Sequence, residues 1–280
     1  MRMLITAMII LFGVAYAEKF SAGLNVGYGS TSQKYDSTGK ANNVDTTFSN
    51  LNLGLNAKYY ILSPEVGPKV YAGVDFKFSQ YQGSPKSGNS RSSGFSPQYL
   101  NLLLGGSYLF FNGFVGFQLD LGPKGDSEKI GNSDRQNAVL IGLGANVPFM
   151  AGAGDFHANV NYALTLEKTE DNVKYDLGDQ LAFIVGGGYK FGISEVASFS
   201  LGLDLIYRLG TEARVENTTV PNSSSSNFSI MPYLKYKTGP ISVWAKLGVA
   251  DEYGYYGFSI MGKNSFVTRL GITAGLNVSY

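Results

Sequence analysis

Apolar and polar residues alternate along the last fifteen residues of the chain, 266–280. Apolar and aromatic side chains dominate the even-numbered positions from Phe266 to Tyr280, and glycine and polar side chains dominate the odd-numbered ones. Successive residues of a β-strand point to opposite faces. The segment is therefore predicted to form a strand with one face suited to lipid and the other suited to water.

The same alternation recurs about twelve times, and each stretch is long enough for a tilted membrane strand, which needs about 9–11 residues. We therefore predict an all-β fold: a transmembrane antiparallel up-and-down β-barrel of about 12 strands. A merged or a split hairpin would make the count ten or fourteen. The stretches lie at 19–28, 51–59, 69–79, 98–111, 114–121, 138–148, 155–167, 180–191, 198–209, 227–237, 241–250 and 265–280.

The connections between these stretches alternate between short and long. The short ones are rich in turn-forming residues and lie at 63–68, 112–113, 151–154, 192–197 and 238–240. The long ones are polar and lie at 29–46, 81–97, 122–136, 168–178, 210–226 and 251–264. Barrels of the outer membrane have short periplasmic turns and long extracellular loops. The asymmetry predicts that both termini lie in the periplasm. Outward aromatic residues cluster near both ends of the strands, as in interfacial girdles.

The N-terminal segment predicts export. Arg2 precedes an apolar run, 3–14, and the small-residue step Ala15-Tyr16-Ala17 follows it. The run is too short to cross a bilayer as a helix, and the pattern is typical of a cleaved secretory signal peptide. We expect residues 1–17 to be removed and residues 18–280 to form a single barrel domain.

The chain resembles the bacterial outer-membrane β-barrel superfamily, the porin-like and small-barrel proteins, over its mature length. The most specific match is the C-terminal assembly signal of that superfamily, whose places are occupied by Thr273, Gly275, Val278 and Tyr280. Members more often end on phenylalanine. The resemblance implies a location in the outer membrane, contact with its lipid, and folding by the barrel-assembly machinery. We expect a monomer.

Composition excludes several kinds of chemistry. Removal of Arg2 leaves 21 basic residues (22 − 1) against 21 acidic ones, so no basic excess predicts nucleic-acid binding. Cysteine is absent, which removes thiolate metal sites and cysteine nucleophiles. His157 is the single histidine, and no metal-ligand spacing surrounds it. We predict no enzyme activity, no cofactor and no metal site.

The predicted inward faces carry charged residues and many glycines. Parity places seven candidate pore residues inward: Asp75, Lys77, Asp120, Asp204, Arg208, Lys246 and Arg269. Asp75, Asp120 and Asp204 are predicted near mid-height, with the two basic residues of the last two strands at similar depth. Either acidic and basic walls oppose each other and orient solutes, or the charges pair directly and close the lumen. The inward glycines are expected to leave room for water.

These features favour a narrow porin-like passive channel for small polar solutes or ions. The alternative is a non-conducting structural or adhesion barrel that acts through its extracellular loops. An outer-membrane hydrolase comes third, because catalysis needs a nucleophile and a base that the sequence does not present together.

Overall fold

The computed structural model describes residues 20–35, 44–63, 67–85, 91–92, 95–121, 137–170, 172–176, 178–192, 196–219, 224–247 and 265–279. The predicted signal peptide, the loop 251–264 and Tyr280 lie outside these described residues. In the described part of the chain, no helix is long and apolar enough to cross a membrane.

Twelve antiparallel strands form a closed barrel, as the sequence predicts. Each strand pairs with its neighbours along the chain, and the first strand pairs with the last. The strands are β1 (Phe20–Tyr35), β2 (Val44–Leu62), β3 (Lys69–Pro85), β4 (Ser96–Tyr108), β5 (Phe111–Asp120), β6 (Ala138–Phe149), β7 (Gly154–Thr165), β8 (Gln180–Gly192), β9 (Ala197–Gly210), β10 (Ser225–Thr238), β11 (Ile241–Leu247) and β12 (Ser265–Ser279).

The two ends of the barrel differ. Connections of two to six residues join β2 to β3, β4 to β5, β6 to β7, β8 to β9 and β10 to β11 at the turn end. Connections of eight to seventeen residues join the other pairs at the loop end. A single 3-10 turn, Met150–Gly152, makes up most of one short connection. The strands close between β1 and β12 in a continuous register from Ser21↔Ser279 to Tyr35↔Ser265.

The alternating pattern of β9 shows why these sequences form barrel strands. Leu203, Leu205 and Tyr207 are 38–42 % exposed on the outer face. The residues between them point inward and are at most 7 % exposed, although two of them are charged: Asp204, Ile206 and Arg208. A soluble sheet would bury its apolar face instead. The outward apolar and inward mixed pattern is that of a lipid-embedded barrel.

Three strands extend beyond their predicted ends. β1 continues to Tyr35 and β2 begins at Val44, so both include part of the segment 29–46 that was predicted as a loop. β3 continues to Pro85, into the predicted loop 81–97. Their pairing persists as Tyr35↔Val44 and Thr46↔Pro85. The prediction failed there because apolar alternation marks only the part of a strand that needs an apolar face, whereas backbone pairing does not require one.

The turn between β4 and β5 lies at 109–110, so its prediction at Asn112-Gly113 is wrong. Gly113 pairs with Gly106 inside the hairpin, and Leu109 takes the left-handed conformation of the turn with φ 53°. This register pairs Leu100 with Leu119 on the outer face. A turn at 112–113 would set Leu100 opposite loop residues, and the matched apolar faces outweigh the local turn propensity of Asn-Gly.

Two loops at the loop end form one small sheet. The hairpin of Lys168–Glu170 and Val173–Asp176 follows β7, and the hairpin of Arg214–Val215 and Thr218–Thr219 follows β9. Tyr175↔Val215 joins the two hairpins into a four-stranded loop sheet. A two-residue strand, Arg91–Ser92, pairs separately with β3. The loops predicted at 168–178 and 210–226 therefore contain paired backbone.

The interior of the barrel is not uniformly polar. One apolar cluster consists of Leu103, Ala138, Leu140 and Ala163, with Phe114 packed against it. A second consists of Ile184, Ile206 and Met231. Both clusters lie on the inner face of β4 to β10, so part of the inner wall is packed like a soluble core.

Candidate functional site

The lumen contains a cavity of about 710 Å³ that draws its lining from every barrel strand except β5. Ser21 and Ser279 line it at the turn end, and Asp75, Lys77 and Tyr99 line it farther toward the loop end. Cavities that hold small molecules typically measure about 300–1,000 Å³. The cavity is therefore large enough for a small hydrated solute.

The inner face of β2 to β4 is filled closer to the loop end. Ser79 is fully buried there, and Gln98, Tyr99 and Asn101 are at most 2 % exposed. The hydroxyl of Ser79 donates to Asn52 Oδ1 at 2.6 Å. The amide of Asn101 donates to Asp75 Oδ2 at 3.2 Å. These side chains narrow the lumen on this side.

A chain of ion pairs and hydrogen bonds runs along the inner wall from β7 to β11. Lys246 Nζ donates to Asp204 Oδ2 at 2.9 Å, and Asp204 Oδ1 lies 3.0 Å from His157 Nε2. The other ring nitrogen of His157, Nδ1, lies 3.2 Å from Asp155 Oδ2. We call these four residues the lumen ion network. Because it follows the wall rather than crossing the lumen, it leaves the cavity beside it open.

Glycines on the inner face let neighbouring side chains lie flat against the wall. A Cβ added at Gly275 would meet the indole of Trp244 at 2.4 Å, and one at Gly202 would meet the ring of Tyr233 at 2.2 Å. Gly105 is covered by Tyr71 in the same way. The space over these glycines is thus occupied by side chains rather than water. The lumen gains width because those side chains do not point toward its axis.

The lumen ion network depends on one such glycine, and this gives a testable prediction. A Cβ at Gly186 would lie 2.5 Å from Asp204 Oδ1, 2.6 Å from His157 Nε2 and 2.7 Å from the backbone oxygen of Leu203. We expect Gly186→Ala to lower the free energy of unfolding by about 1–3 kcal/mol, because the hydrogen bond must break or the strands must shift. Urea titration of the barrel in lipid vesicles measures the change.

Gly192 supplies the control for that measurement. It lies on the same strand, β8, and a Cβ there would have no atom within 4 Å. Gly192→Ala should change the free energy of unfolding by less than about 0.5 kcal/mol. Equal effects of the two substitutions would show that the close approach at Gly186 has no energetic consequence.

Three solved structures of bacterial outer-membrane barrels have a fold similar to that of this chain. An outer membrane channel from Pseudomonas putida F1 matches with a TM-score of 0.69 at 11% identity, covering 94% of this chain and 97% of that one. The beta domain of the Bordetella autotransporter BrkA matches with a TM-score of 0.51 at 12% identity, covering 93% and 100%. The translocator domain of the autotransporter NalP from Neisseria meningitidis matches with a TM-score of 0.50 at 10% identity, covering 100% and 95%. The fold is that of the bacterial outer-membrane β-barrels.

Comparison by sequence adds nothing to this assignment. No protein-family model and no curated protein matches the chain. The identities to the solved barrels, 10–12%, support the fold of the barrel and no particular activity.

Four of the seven predicted pore residues line the cavity of the barrel: Asp75, Lys77, Asp204 and Lys246. Lys77 Nζ lies over the ring of Tyr99, 5.8 Å from its centroid. Lys246 pairs with Asp204, two strands away on the same wall, and not across the lumen with an acid of β3 or β5. For Lys246, the structure therefore favours direct pairing with an acidic residue over acidic and basic walls that oppose each other across the lumen.

The other three predicted pore residues are placed differently. Asp120 is the last residue of β5 at the loop end, so its prediction at mid-height is wrong. The guanidinium of Arg208, Nη1, lies 3.3 Å from Ser229 Oγ and is buried on β9. Arg269 lies in β12 opposite Thr31, but its side chain is outside the described part of the structure.

The described residues of the predicted assembly signal lie in the C-terminal half of β12. Thr273 points inward and pairs with Gly27 of β1, and Gly275 underlies Trp244. Val278 pairs with Ala22 near the turn end. Tyr280 lies outside the described residues. Recognition of these residues by an assembly factor stays a prediction.

Sequence reasoning missed the part that His157 plays in the lumen ion network. Its inward parity with Asp155 was readable, since residues i and i+2 of a strand share a face. Its contact with Asp204, two strands away, could not be predicted, because the alternation within a strand does not tell which residues of other strands lie nearby. In the described residues, no group of three or more His, Asp or Glu side chains could hold a metal ion.

Proposed function

We propose that the protein is a narrow passive channel of the bacterial outer membrane for small polar solutes or ions. The observation that carries this proposal is the 710 Å³ cavity, which reaches the turn-end residues Ser21 and Ser279 and draws on eleven of the twelve strands. A barrel of eight strands fills with side chains, and barrels of sixteen or more hold open channels. Twelve strands whose large inner side chains lie flat over glycines leave a lumen of intermediate width.

The proposal also includes the orientation, export and assembly that the sequence predicts. The short connections face the periplasm, the long ones face the exterior, and both termini are periplasmic. Residues 1–17 direct export and are removed, and the barrel-assembly machinery inserts the mature chain into the lipid as a monomer. The barrel of Pseudomonas putida with the same fold is described as an outer membrane channel, which supports the compatibility of the fold with conduction.

Planar-bilayer recording of the refolded mature protein tests this function. We expect discrete conductance steps, and a heat-modifiability gel confirms that the barrel has formed. Ser200 lines the cavity, and its neighbour Leu201 faces outward at 50 % exposure. Ser200→Trp should reduce the unit conductance by roughly half or more, because lumen substitutions change passage through a narrow pore, whereas Leu201→Trp should leave it unchanged. A folded barrel that shows no steps would contradict the channel proposal.

A second function is favoured by the filled inner face and the loop sheet. Ser79, Gln98 and Tyr99 are almost completely buried toward the loop end. Asp176 joins the loop sheet to the barrel, because its Oδ1 accepts from Thr165 Oγ1 of β7 at 3.1 Å. Asp179, in the connection from the loop sheet to β8, accepts from Thr165 N at 3.0 Å and from the hydroxyl of Tyr162. A non-conducting barrel would present this ordered surface to a partner. Silent bilayers together with binding of folded protein to host matrix or glycan would support this function.

The hydrolase alternative finds less support in the lumen. Both ring nitrogens of His157 face carboxylates, those of Asp155 and Asp204. A histidine that activates a serine or a water must direct one nitrogen toward that group. We therefore do not propose an enzymatic activity.

A further inference from the structure

Four neighbouring strands, β11, β12, β1 and β2, form one wall of the cavity in the turn-end half of the barrel. Each strand contributes one large polar or aromatic side chain to the cavity lining: Trp244, Asn277, Asn25 and Asn56. In the strand register, Gly275 lies between Trp244 and Asn25. Gly23 lies between Asn277 and Asn56. We call the four lining residues the amide–tryptophan wall.

The indole of Trp244 lies flat against this wall, with one face on Gly275. A Cβ added at Gly275 would lie 2.5 Å from Cε2 and 2.8 Å from Nε1 of the indole. When the amide of Asn277 is oriented to satisfy both of its ends, its oxygen accepts from Trp244 Nε1 at 3.2 Å. The backbone beneath the ring and the amide at its edge hold the indole in place, and its other face is left to the cavity.

The three asparagines bring their amide groups together beside the indole. Asn277 and Asn56 lean over Gly23 from opposite sides, since a Cβ there would meet both side chains. Asn25 leans over Gly54 in the same way, with Oδ1 at 2.5 Å and Nδ2 at 2.6 Å from an added Cβ. All three residues are partly exposed, and an amide offers both donor hydrogens and acceptor lone pairs. The cluster can therefore donate to and accept from the same hydroxyl-rich solute.

Charged side chains lie at the margins of this wall rather than within it. The inward residues of the described segments 273–279 of β12 and 21–27 of β1 are serine, threonine, asparagine and glycine. At the margins, Lys246 belongs to the lumen ion network and Lys58 lies over the ring of Tyr71. Burying a charged solute is costly unless an opposite charge compensates it. The middle of the wall therefore favours a solute without charge.

We propose that the amide–tryptophan wall is a binding site for uncharged sugars. This inference rests on the proposed channel function and specifies its solute class. A sugar ring has an apolar C–H face that packs on an aromatic ring and a rim of hydroxyls that each donate and accept hydrogen bonds. Trp244 supplies the aromatic surface, and the three asparagines supply polar partners beside it. The cavity of about 710 Å³ has the size of sites that hold small molecules.

Fluorescence of Trp244 tests binding directly, because it is the single tryptophan of the chain and forms part of the site. Titration of D-glucose into the folded barrel in detergent micelles should give a saturable change of emission. We expect half-saturation in the millimolar range, since a transported solute must also leave. Sorbitol carries similar hydroxyls on an open chain without a ring face. It should bind about 3–10-fold more weakly, as expected from the loss of one aromatic contact.

Matched asparagine variants locate the site. Asn25→Leu keeps the approximate size of the side chain and removes its amide, so it should raise the half-saturating glucose concentration about 3–10-fold, the equivalent of one hydrogen bond. Asn159→Leu makes the same change in the cavity lining of β7, six strands away from β1, and should leave that concentration unchanged. Heat-modifiability gels confirm that each variant folds, and Asn56→Leu replaces Asn25→Leu if the latter does not.

Conductance measures the same binding in the open channel. Glucose added to one side of a planar bilayer should reduce the time-averaged current as its concentration rises. Trp244→Leu removes the aromatic surface, and it should raise the glucose concentration that halves this current at least roughly threefold.

The outcomes separate the two proposals. Conductance steps without a response of Trp244 fluorescence to glucose would overturn the sugar site and leave the channel standing. Equal responses to glucose and sorbitol, or equal losses in Asn25→Leu and Asn159→Leu, would likewise overturn the sugar site. Saturable glucose binding by a folded barrel that shows no conductance steps would support the site and overturn the channel.

Discussion

Replacing Leu203 by arginine is expected to lower the free energy of unfolding in a bilayer by about 2–4 kcal/mol, the cost of a cationic side chain on the lipid face near the midplane. Leu203 is the seventh residue of the fourteen in β9 and is 41 % exposed on the outer face. Reversible urea titration in phospholipid vesicles measures the loss. Trp244, the single tryptophan, lines the cavity and reports unfolding by its fluorescence.

Ser200 gives the matched control on the opposite face of the same strand. It lines the cavity, so an arginine there keeps its charge in contact with water. Ser200→Arg should cost less than about 1 kcal/mol. If the two substitutions cost the same, or if Ser200→Arg costs more, the assignment of the lipid face and the lumen face is wrong.

Asp204→Asn is expected to lower the free energy of unfolding by about 2–3 kcal/mol. Asp204 is 4 % exposed and receives hydrogen bonds from both Lys246 and His157. Removing one partner of a buried ion pair typically costs about 3–5 kcal/mol, because the other charge stays buried without compensation. The side chain of Lys246 is 36 % exposed, so water recovers part of this cost and we expect the lower figure. The same urea titration measures it.

Asp155 is the control for this carboxylate, since it belongs to the same lumen ion network but its side chain is 42 % exposed. Asp155→Asn should cost less than about 1 kcal/mol. A double-mutant cycle of Asp204→Asn and Lys246→Gln isolates the pair, and the double variant should lose less than the sum of the single ones. Additive losses would show that the two side chains do not stabilise each other.

The sequence was sufficient for the number of strands and for the faces of their apolar parts, because that signal is local. The alternation of Leu203, Asp204 and Leu205 along β9 needs no knowledge of any other strand, and it correctly assigned each side chain to a face. The closed twelve-strand barrel then followed, since each strand with one lipid-facing side must pair on both edges within a bilayer.

The site depended on relations between strands, which one sequence does not record. Lys246 pairs in register with Tyr233 and Thr273, yet its ammonium group reaches Asp204 of β9. Such diagonal contacts depend on the register and tilt of several strands together. The close approach of Asp204 and His157 to Gly186 could not be predicted either, because a glycine in a sequence does not tell which side chain lies over it.

The continuous register that joins β1 to β12 also sets an order of events during folding. Ser21 and Ser279 are paired in register in the finished barrel although almost the whole chain separates them. Loop closure over such a distance is slow, and contacts of this kind form late. Until then β1 and β12 each expose a long unpaired edge, which is a template for aggregation. When eleven of the twelve strand pairings are complete, these two edges are still unpaired, and resistance to aggregation at that stage depends on how they are shielded.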